Sequence, residues 1–341
     1  MKYDVTIGIP VYKSEAYIRQ TLDSLLAQTY PSIEFLFVDD CGGDSSLSII
    51  QEIKESHPRG CDIHLITHQI NEGVSVSRNQ IIQEAQGSFL YFMDSDDVIK
   101  KDAISLMMSN VRQFDAEIVF GSYEKIEISG MRTVYQYPSL NLHGKDALAC
   151  FAYRKYAGIQ ASSCNYLVKT AVLRNRNLRF IDTDYWEDFV FTFDLVTCIS
   201  CAVLLPDITY TYQCHEGSLS HYQQRDVITK DEIMKNVRAV EHLKKTSSLL
   251  YNKVYYPNRC LNIVMTDFYI VCNVLKRRKA IIPYLSDSEL KSIMIHPATF
   301  RHICAFRQSM MKNLFFYFLG KLPPFLCIKI IWSIGKVKKL I

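Results

Sequence analysis

Ser88-Phe89-Leu90-Tyr91-Phe92-Met93-Asp94-Ser95-Asp96-Asp97 is the stretch that decides the fold. Ser88–Met93 reads as a buried strand, too short and too apolar for a surface helix. It ends abruptly on three carboxylates within four residues. Like charges that close repel, and a buried sheet end raises their pKa values unless a cation neutralises them. A hard divalent ion with oxygen ligands, Mg²⁺ or Mn²⁺, answers that need; a solvated acidic turn capping a helix is the plainer alternative.

Outward from this strand the same unit repeats. Val5–Pro10, Ile33–Val38 and Ile63–Thr67 are β-rich runs, and Glu117–Phe120 follows later. Ser14–Gln28, Ser45–Ser56, Ser75–Gln86 and Lys101–Phe114 carry helical apolar stripes between them. Alternating strands and helices predict a mostly parallel α/β sheet with helices on both faces. Past Gly121 the pattern loosens into a hairpin over Tyr123–Tyr137, a helix over Gly144–Tyr156, a short strand at Asn165–Lys169, a helix over Asp188–Cys198, and one or two strands within Cys201–Gln213. From about Lys230 the pattern is helical only, with a boundary near Gln224.

Ligands of open parallel sheets bind beyond the carboxyl ends of the strands, so those ends are where site residues are sought. The first strand ends in Pro10-Val11-Tyr12, the second in Asp39-Asp40, the fourth in Asp94-Ser95-Asp96-Asp97. Between the third strand and its helix lie Asn71-Glu72-Gly73 and Ser77-Arg78-Asn79. There Gly73 permits a tight turn and Arg78 is placed to meet phosphate or base edges, or to lie on the surface of a capped helix. Trp186-Glu187-Asp188-Phe189 opens a helix; its carboxylates suit the helix dipole, and one of them suits a general base. His215, in the polar loop that runs on to His221, is a metal or phosphate ligand or a surface histidine. No Gly-x-Gly-x-x-Gly or Walker-type motif occurs, which excludes dinucleotide and P-loop folds.

Of 341 residues, 48% are apolar and 22% charged, as in an ordinary globular protein. The net charge of +4 is unevenly placed. After Glu289 there is no acidic residue but nine Lys or Arg, leaving 30 of the 39 basic and all 35 acidic residues in the first 289. A mildly acidic body excludes a broad nucleic-acid surface. The basic tail, residues 311–341, fits an anionic membrane surface. Its apolar runs are broken by Pro323-Pro324 and lysines, so an interfacial helix pair or a buried hairpin is expected ahead of a transmembrane span. The chain opens directly on a strand pattern and its 11 cysteines are odd in number and scattered, which predicts reduced thiols in a cytoplasmic protein, peripheral to the inner face of the membrane through its tail.

In combination, Ile9-Pro10-Val11-Tyr12, Val38-Asp39-Asp40, Asn71-Glu72-Gly73, Ser77-Arg78-Asn79, Asp94-Ser95-Asp96-Asp97 and Glu187-Asp188 resemble the family 2 glycosyltransferases, the inverting group of GT-A fold that includes many bacterial capsule and lipopolysaccharide enzymes. The resemblance runs from Val5 to about Ser220. It implies a GT-A domain over 1–224, with 1–120 the nucleotide-sugar half and 121–224 the acceptor half, and a helical region over 225–341. It also implies a UDP-sugar donor, a glycan or lipid-linked saccharide acceptor, and Mg²⁺ or Mn²⁺. By the same resemblance Pro10 and Tyr12 line the base pocket, Asp39 or Asp40 bonds the base, and Asn71, Gly73 and Arg78 help hold the nucleotide. Asp94 lies at the ribose, Asp96 ligates the metal, Asp188 is the base, and Glu187 supports a sugar; Ser95 is counted with the nucleotide-sugar residues, and Asp94 and His215 join Asp96 as candidate metal ligands. Lys13, Cys41-Gly42-Gly43-Asp44 and Gln213 depart from the family's usual Asn, Asp-Gly-Ser-x-Asp and Arg, which bears on donor details. A sugar nucleotidyltransferase, or a catalytically silent membrane-docked scaffold of the same fold, are the rival readings; Ile7–Lys13 lacks the Gly-rich basic loop that the first needs.

Overall fold

The computed structural model describes residues 2–154, 158–183, 186–216 and 227–341. The chain forms two compact units, Met1–Leu148 with Ala161–Tyr222, and Ala149–Gln160 with Gln223–Ile341. The boundary expected near Gln224 and the expected loop residues Ser218–His221 lie outside the described residues.

The first unit begins β1 (Tyr3–Val11), α1 (Ile18–Leu26), β2 (Ile33–Asp39), α2 (Ser46–Ser56), β3 (Ile63–Thr67), α3 (Val74–Glu84), β4 (Gly87–Phe92). It continues through β5 (Val98–Ile99), α4 (Ala103–Phe114), β6 (Ile118–Ile126), β7 (Arg132–Tyr135) and β8 (Leu140–His143); α5 (Ala147–Arg154) follows, its residues from Ala149 onward belonging to the second unit. The first unit closes with β9 (Tyr166–Lys169), α6 (Thr170–Asn175), α7 (Glu187–Leu195) and β10 (Cys201–Gln213). The strands form one sheet in the order β3-β2-β1-β4-β9-β6-β10-β5, with β7 on β6 and β8 on β10. β1 to β4 are mutually parallel and β10 is parallel to β6; β9 runs antiparallel to both β4 and β6. The expected mostly parallel α/β sheet with flanking helices is therefore present, with β9 reversed in its interior and the short strands β5, β7 and β8 also antiparallel to their partners. Cys201–Gln213 is a single strand, irregular between Leu204 and Ile208 where Pro206 interrupts the ladder. The expected Tyr123–Tyr137 hairpin is the β6–β7 pair.

Chain order places a crevice. From β1 the chain moves outward through β2 and β3, then returns to lay β4 on the other side of β1. At such a reversal the connections leave in opposite directions and the strand ends stand open. Pairing of β1 with β4 stops at Gly8–Phe92, whereas pairing with β2 continues to Val11–Asp39. Pro10, which has no N–H to give, falls in the part of β1 that β4 no longer pairs. α3 packs directly onto β1: a Cβ on Gly8 would come 2.2 Å from the Ile81 side chain.

Asn165 ties the reversed strand to its neighbours. In a left-handed conformation (φ 64°), its Nδ2 donates to the carbonyls of Gly121 and Ser122 at 2.7 and 3.1 Å. Its Oδ1 accepts from Thr209 Oγ1 at 2.6 Å and Tyr91 OH at 3.2 Å. One buried amide thus serves β4, β6 and β10.

In the second unit β11 (Ile228–Thr229) pairs with β12 (Ile281–Ile282), and the rest is helical: α8 (Lys230–Ser247), α9 (Tyr256–Lys276), α10 (Asp287–Ile293), α11 (Phe300–Cys304), α12 (Met310–Leu319) and α13 (Pro324–Val337). Among the described residues, the all-helical reading missed this two-residue strand pair, too short to leave a periodic signal. Capping boxes start α8 (Thr229 with Glu232) and α10 (Ser286 with Glu289). Arg259 is fully buried, donating to Ser247 Oγ, Tyr153 OH and Thr246 Oγ1 at 2.8, 2.6 and 3.0 Å.

Replacing Asn165 by Ala would take one hydrogen bond from each of four buried polar partners, although Thr209 Oγ1 still reaches the Ser122 carbonyl at 3.3 Å, and would place a side chain without Asn's tolerance in the left-handed region. A loss of about 2–4 kcal/mol is expected, read as a lower urea midpoint with an unchanged slope.

Candidate active site

Three of the candidate carboxylates, one at the end of β4 and two at the start of α7, gather around one guanidinium. Arg78, on the first turns of α3 and 4% exposed, donates through Nη1 to Glu187 Oε1 at 2.9 Å and Asp188 Oδ1 at 2.8 Å. Through Nη2 it donates to Asp94 Oδ1 at 2.9 Å. It therefore joins the carboxyl end of β4 to the first turn of α7, residues 109 and 110 positions apart from it in sequence. Phe180 lies against the guanidinium, 5.4 Å from ring centroid to Cζ. Asn79 fixes Phe180 by bonding both its N–H and its carbonyl at 2.8 Å. Among the described residues Arg78 Nε is buried without a partner.

One positive charge faces three carboxyl groups, so the cluster is over-supplied with negative charge if all three ionise. The consequence falls on the α7 pair. Burial, then Asp188, pushes the Glu187 carboxyl up to about 7 despite Arg78. Burial also raises Asp188, partly offset by Arg78 and reinforced by Asp94.

Asp96 and His215 form a second pair, with His215 Nε2 2.6 Å from Asp96 Oδ2. Tyr17 stacks on the imidazole at 4.1 Å and 23°. Burial and the neighbouring Asp94 raise the Asp96 carboxyl, and His215 draws it down. Asp97 faces inward, accepting from Tyr210 OH at 2.6 Å and from the Gln213 N–H at 2.8 Å. That contact anchors the end of β10, and so the approach to His215, against the β4 turn. Ser95 is buried, its Oγ 2.5 Å from Ser14 Oγ.

The two carboxylates after β2 have separate duties. Asp40 accepts from the Glu72 and Gly73 N–H groups at 2.8 Å each and from His68 Nδ1 at 2.7 Å. Both of its oxygens are thus spent shaping the Asn71–Gly73 turn, in which Gly73 takes φ +91°. Asp39 is buried at the sheet end, and burial raises its carboxyl although backbone N–H groups of Gly42 and Cys41 draw it down. Tyr12 is 46% exposed with Lys13 Nζ 5.1 Å from its ring centroid. Asp44 holds that loop by accepting from the Glu15 N–H at 2.9 Å and from Ser46.

The structure brings Arg78 to Asp94, Glu187 and Asp188, and Asp96 to His215, a grouping other than the expected one. Asp94, Asp96 and His215 were expected together at a cation; the structure instead turns Asp94 to Arg78 and leaves Asp96 with His215. Arg78, expected near phosphate, has both terminal nitrogens engaged by carboxylates. Sequence reading passed over His68, Tyr17, Phe180 and Tyr210. His68 sits immediately after β3, where the strand-end rule would have found it; Tyr210 is hidden in an apolar strand.

Residues 6–173 match the family model described as Glycosyl transferase family 2. The chain belongs to this family. Succinoglycan biosynthesis protein ExoO of Rhizobium meliloti is 24% identical over 310 residues, 88% of this chain and 84% of ExoO. Against three other bacterial glycosyltransferases the chain spans only 31% to 49% of their length. Among solved structures, S. aureus TarS 1–349 in complex with UDP-GlcNAc superposes with a TM-score of 0.59 at 17% identity, covering 81% of this chain and 88% of that one. The mannosyltransferase PcManGT from Pyrobaculum calidifontis, in complex with GDP-Man and Mn²⁺, gives 0.52 at 13% identity over 99% and 88% of the two chains. These likenesses carry the fold: the GT-A arrangement expected of a family 2 glycosyltransferase is the one observed. Family membership sets aside the nucleotidyltransferase reading.

A divalent cation suits the residues of this family 2 glycosyltransferase. Asp96 and His215 offer an oxygen and a nitrogen side by side, both partly exposed. Carboxylate and imidazole together suit Mn²⁺ better than the strictly oxygen-seeking Mg²⁺. Among the described residues no three His, Cys, Asp or Glu side chains converge as a ready-made metal set, so further ligands would come from the donor and water.

The sign of the pH dependence follows from Glu187. Its folded carboxyl titrates near 7 against an ordinary 4.5, so the folded chain holds a proton that the unfolded chain has released. Stability is full below about 4.5 and falls as pH rises towards 7. Glu187→Gln removes that loss: thermal melting from pH 5 to 8 should show the wild type losing about 1–3 kcal/mol relative to the variant.

Proposed function

We propose that this chain transfers a sugar from a nucleoside-diphosphate sugar, specifically a UDP-sugar, to a hydroxyl of a glycan or lipid-linked saccharide acceptor, with inversion, in the assembly of a cell-surface polysaccharide. The observation that carries the proposal is the link through Arg78 between Asp94, at the β1–β4 crevice, and the carboxylate pair that opens α7. It brings a nucleotide-side carboxylate and a base-type carboxylate onto one buried cation. The UDP-GlcNAc held by TarS and the biosynthetic role in the name of ExoO support the donor and the polysaccharide product.

In this proposal residues 1–120 form the nucleotide-sugar half and 121–224 the acceptor half. Pro10 and Tyr12 flank the base and Asp39 bonds it, since Asp40 is committed to the Asn71–Gly73 turn. That turn and Ser95 shape the floor of the crevice, and Asp94 meets the ribose. Asp96 and His215 hold the Mg²⁺ or Mn²⁺, with Asp94 beside them. When bound, that cation supplies positive charge to the departing diphosphate. Asp188 takes the proton from the acceptor hydroxyl; that oxygen bonds to the anomeric carbon from the face opposite the leaving group, and the bond to the nucleoside diphosphate breaks. A carboxyl lifted from its ordinary range, as Asp188 is, makes the stronger base at neutral pH. Glu187 supports a sugar hydroxyl, and Arg78 positions Asp188 and Asp94. Among the described residues no disulfide is formed, which suits the proposed cytoplasmic location.

Asp188→Asn should lower transfer by about 10³-fold or more while donor affinity stays within about threefold, measured by product formation and by calorimetry. Retained turnover contradicts its role as base. Asp96→Ala should abolish the Mn²⁺-dependent part of donor binding in the same calorimeter; unchanged Mn²⁺ dependence contradicts the assignment of the ion.

A further inference from the structure

Single exposed apolar side chains are ordinary on a protein surface; a continuous stripe of them is not. On α12 the exposed residues include Met311, Phe315 and Phe318, spaced four and three apart and so on one face. On α13 they are Phe325, Leu326, Lys329, Trp332, Ser333, Lys336 and Val337, again one face over three turns. The opposite face of α13, Cys327, Ile328, Ile331 and Gly335, is buried, with Gly335 tight against Cys272 of α9. The helix is thus already docked on its own unit through one side, and its second apolar side faces solvent: Phe325 is 69% exposed and Trp332 43%.

Lysines are set among these rings. Lys336 Nζ lies 4.1 Å from the Trp332 ring centroid, Lys329 5.8 Å from Phe325 and Lys321 5.6 Å from Tyr317. Lys312, Lys338 and Lys339 add to them. No acidic residue follows Glu289, and the acids of α10 are engaged elsewhere, Asp287 with Arg278 at 2.7 Å and Glu289 with Lys230. The exposed sides of the two helices therefore combine aromatic and aliphatic anchors with uncompensated positive charge.

We propose that the exposed faces of α12 and α13 rest on an anionic lipid bilayer, rings in the acyl boundary and ammonium groups at the headgroup phosphates. A second copy of the chain would set lysines against lysines. A nucleic acid would engage the lysines and leave Phe315, Phe318, Phe325 and Leu326 without a role. α13, 14 residues long, extends about 21 Å, short of the roughly 30 Å hydrocarbon core, and no described helix is long and apolar enough to cross a membrane. An in-plane orientation is what its length and its two-sided chemistry suit.

The test is flotation of the full chain with vesicles of phosphatidylcholine alone or with about a third phosphatidylglycerol. Anionic vesicles should bind at least about tenfold more tightly, and about 0.5 M NaCl should remove most of that difference, because exposed charges are screened at this distance. Trp332 fluorescence should shift to the blue on binding, and the shift should vanish in Trp332→Phe. Phe325→Ser with Trp332→Ser should weaken binding about tenfold, as should Lys329→Gln with Lys336→Gln, with helix content and donor-nucleotide affinity unchanged in both. Equal binding to neutral and anionic vesicles, no binding to either, or a concentration-dependent dimer that buries Trp332 without lipid would overturn the proposal. Donor binding is read separately, so failure here leaves the transferase proposal standing, and the reverse.

Discussion

A buried arginine with too many carboxylates is the constraint on which the site depends. Arg78 cannot sit 4% exposed without counter-charge, because an unpaired buried cation costs several kcal/mol. Asp94, Glu187 and Asp188 supply that counter-charge in excess. Burial lifts the α7 carboxylates from their ordinary range, the neighbouring carboxylates add to the rise and Arg78 opposes it, while the ion pairs hold α7 to the end of β4. Positioning comes from these three contacts, and the raised carboxyls from the burial that accompanies them.

Topology makes this meeting possible. Only the reversal of direction after β3 places β4 beside β1, so that the acidic turn opens next to Pro10 and Tyr12 rather than at a distant sheet edge. The reversed strand β9 and the buried amide of Asn165 then carry the chain back across the sheet. Further along, β10 delivers Tyr210 and Gln213 to Asp97, and His215 to Asp96. Each strand end contributes a side chain whose partner arrives from a different element.

Much of this was legible in the sequence because it rests on local periodicity. Strand β3 was read to the residue, and the ends of β1, β2 and β4 within a residue or two, since apolar runs and turn residues mark them. The strand-end rule found Asp39, Asp40, Asp94, Asp96 and Arg78 as site material. Pairing was not legible. Nothing local distinguishes Asp39, left at the crevice, from Asp40, which clamps a turn; the difference lies in where the Glu72 and Gly73 N–H groups arrive. Nor does spacing reveal that one arginine meets carboxylates more than a hundred residues away, or that Tyr17 stacks on His215. The reversed strand was seen as a strand, but its direction depends on a connection rather than on its four residues.

The most direct measurement is a carbon-13 NMR titration of the side-chain carboxyl groups. The account predicts one glutamate carboxyl with a midpoint near 7, assigned to Glu187 by its loss in Glu187→Gln, and moved downward when Asp188 is replaced by Asn. All glutamates titrating between about 3 and 5, the ordinary range, would contradict the claim that Arg78 is outnumbered in a buried cluster.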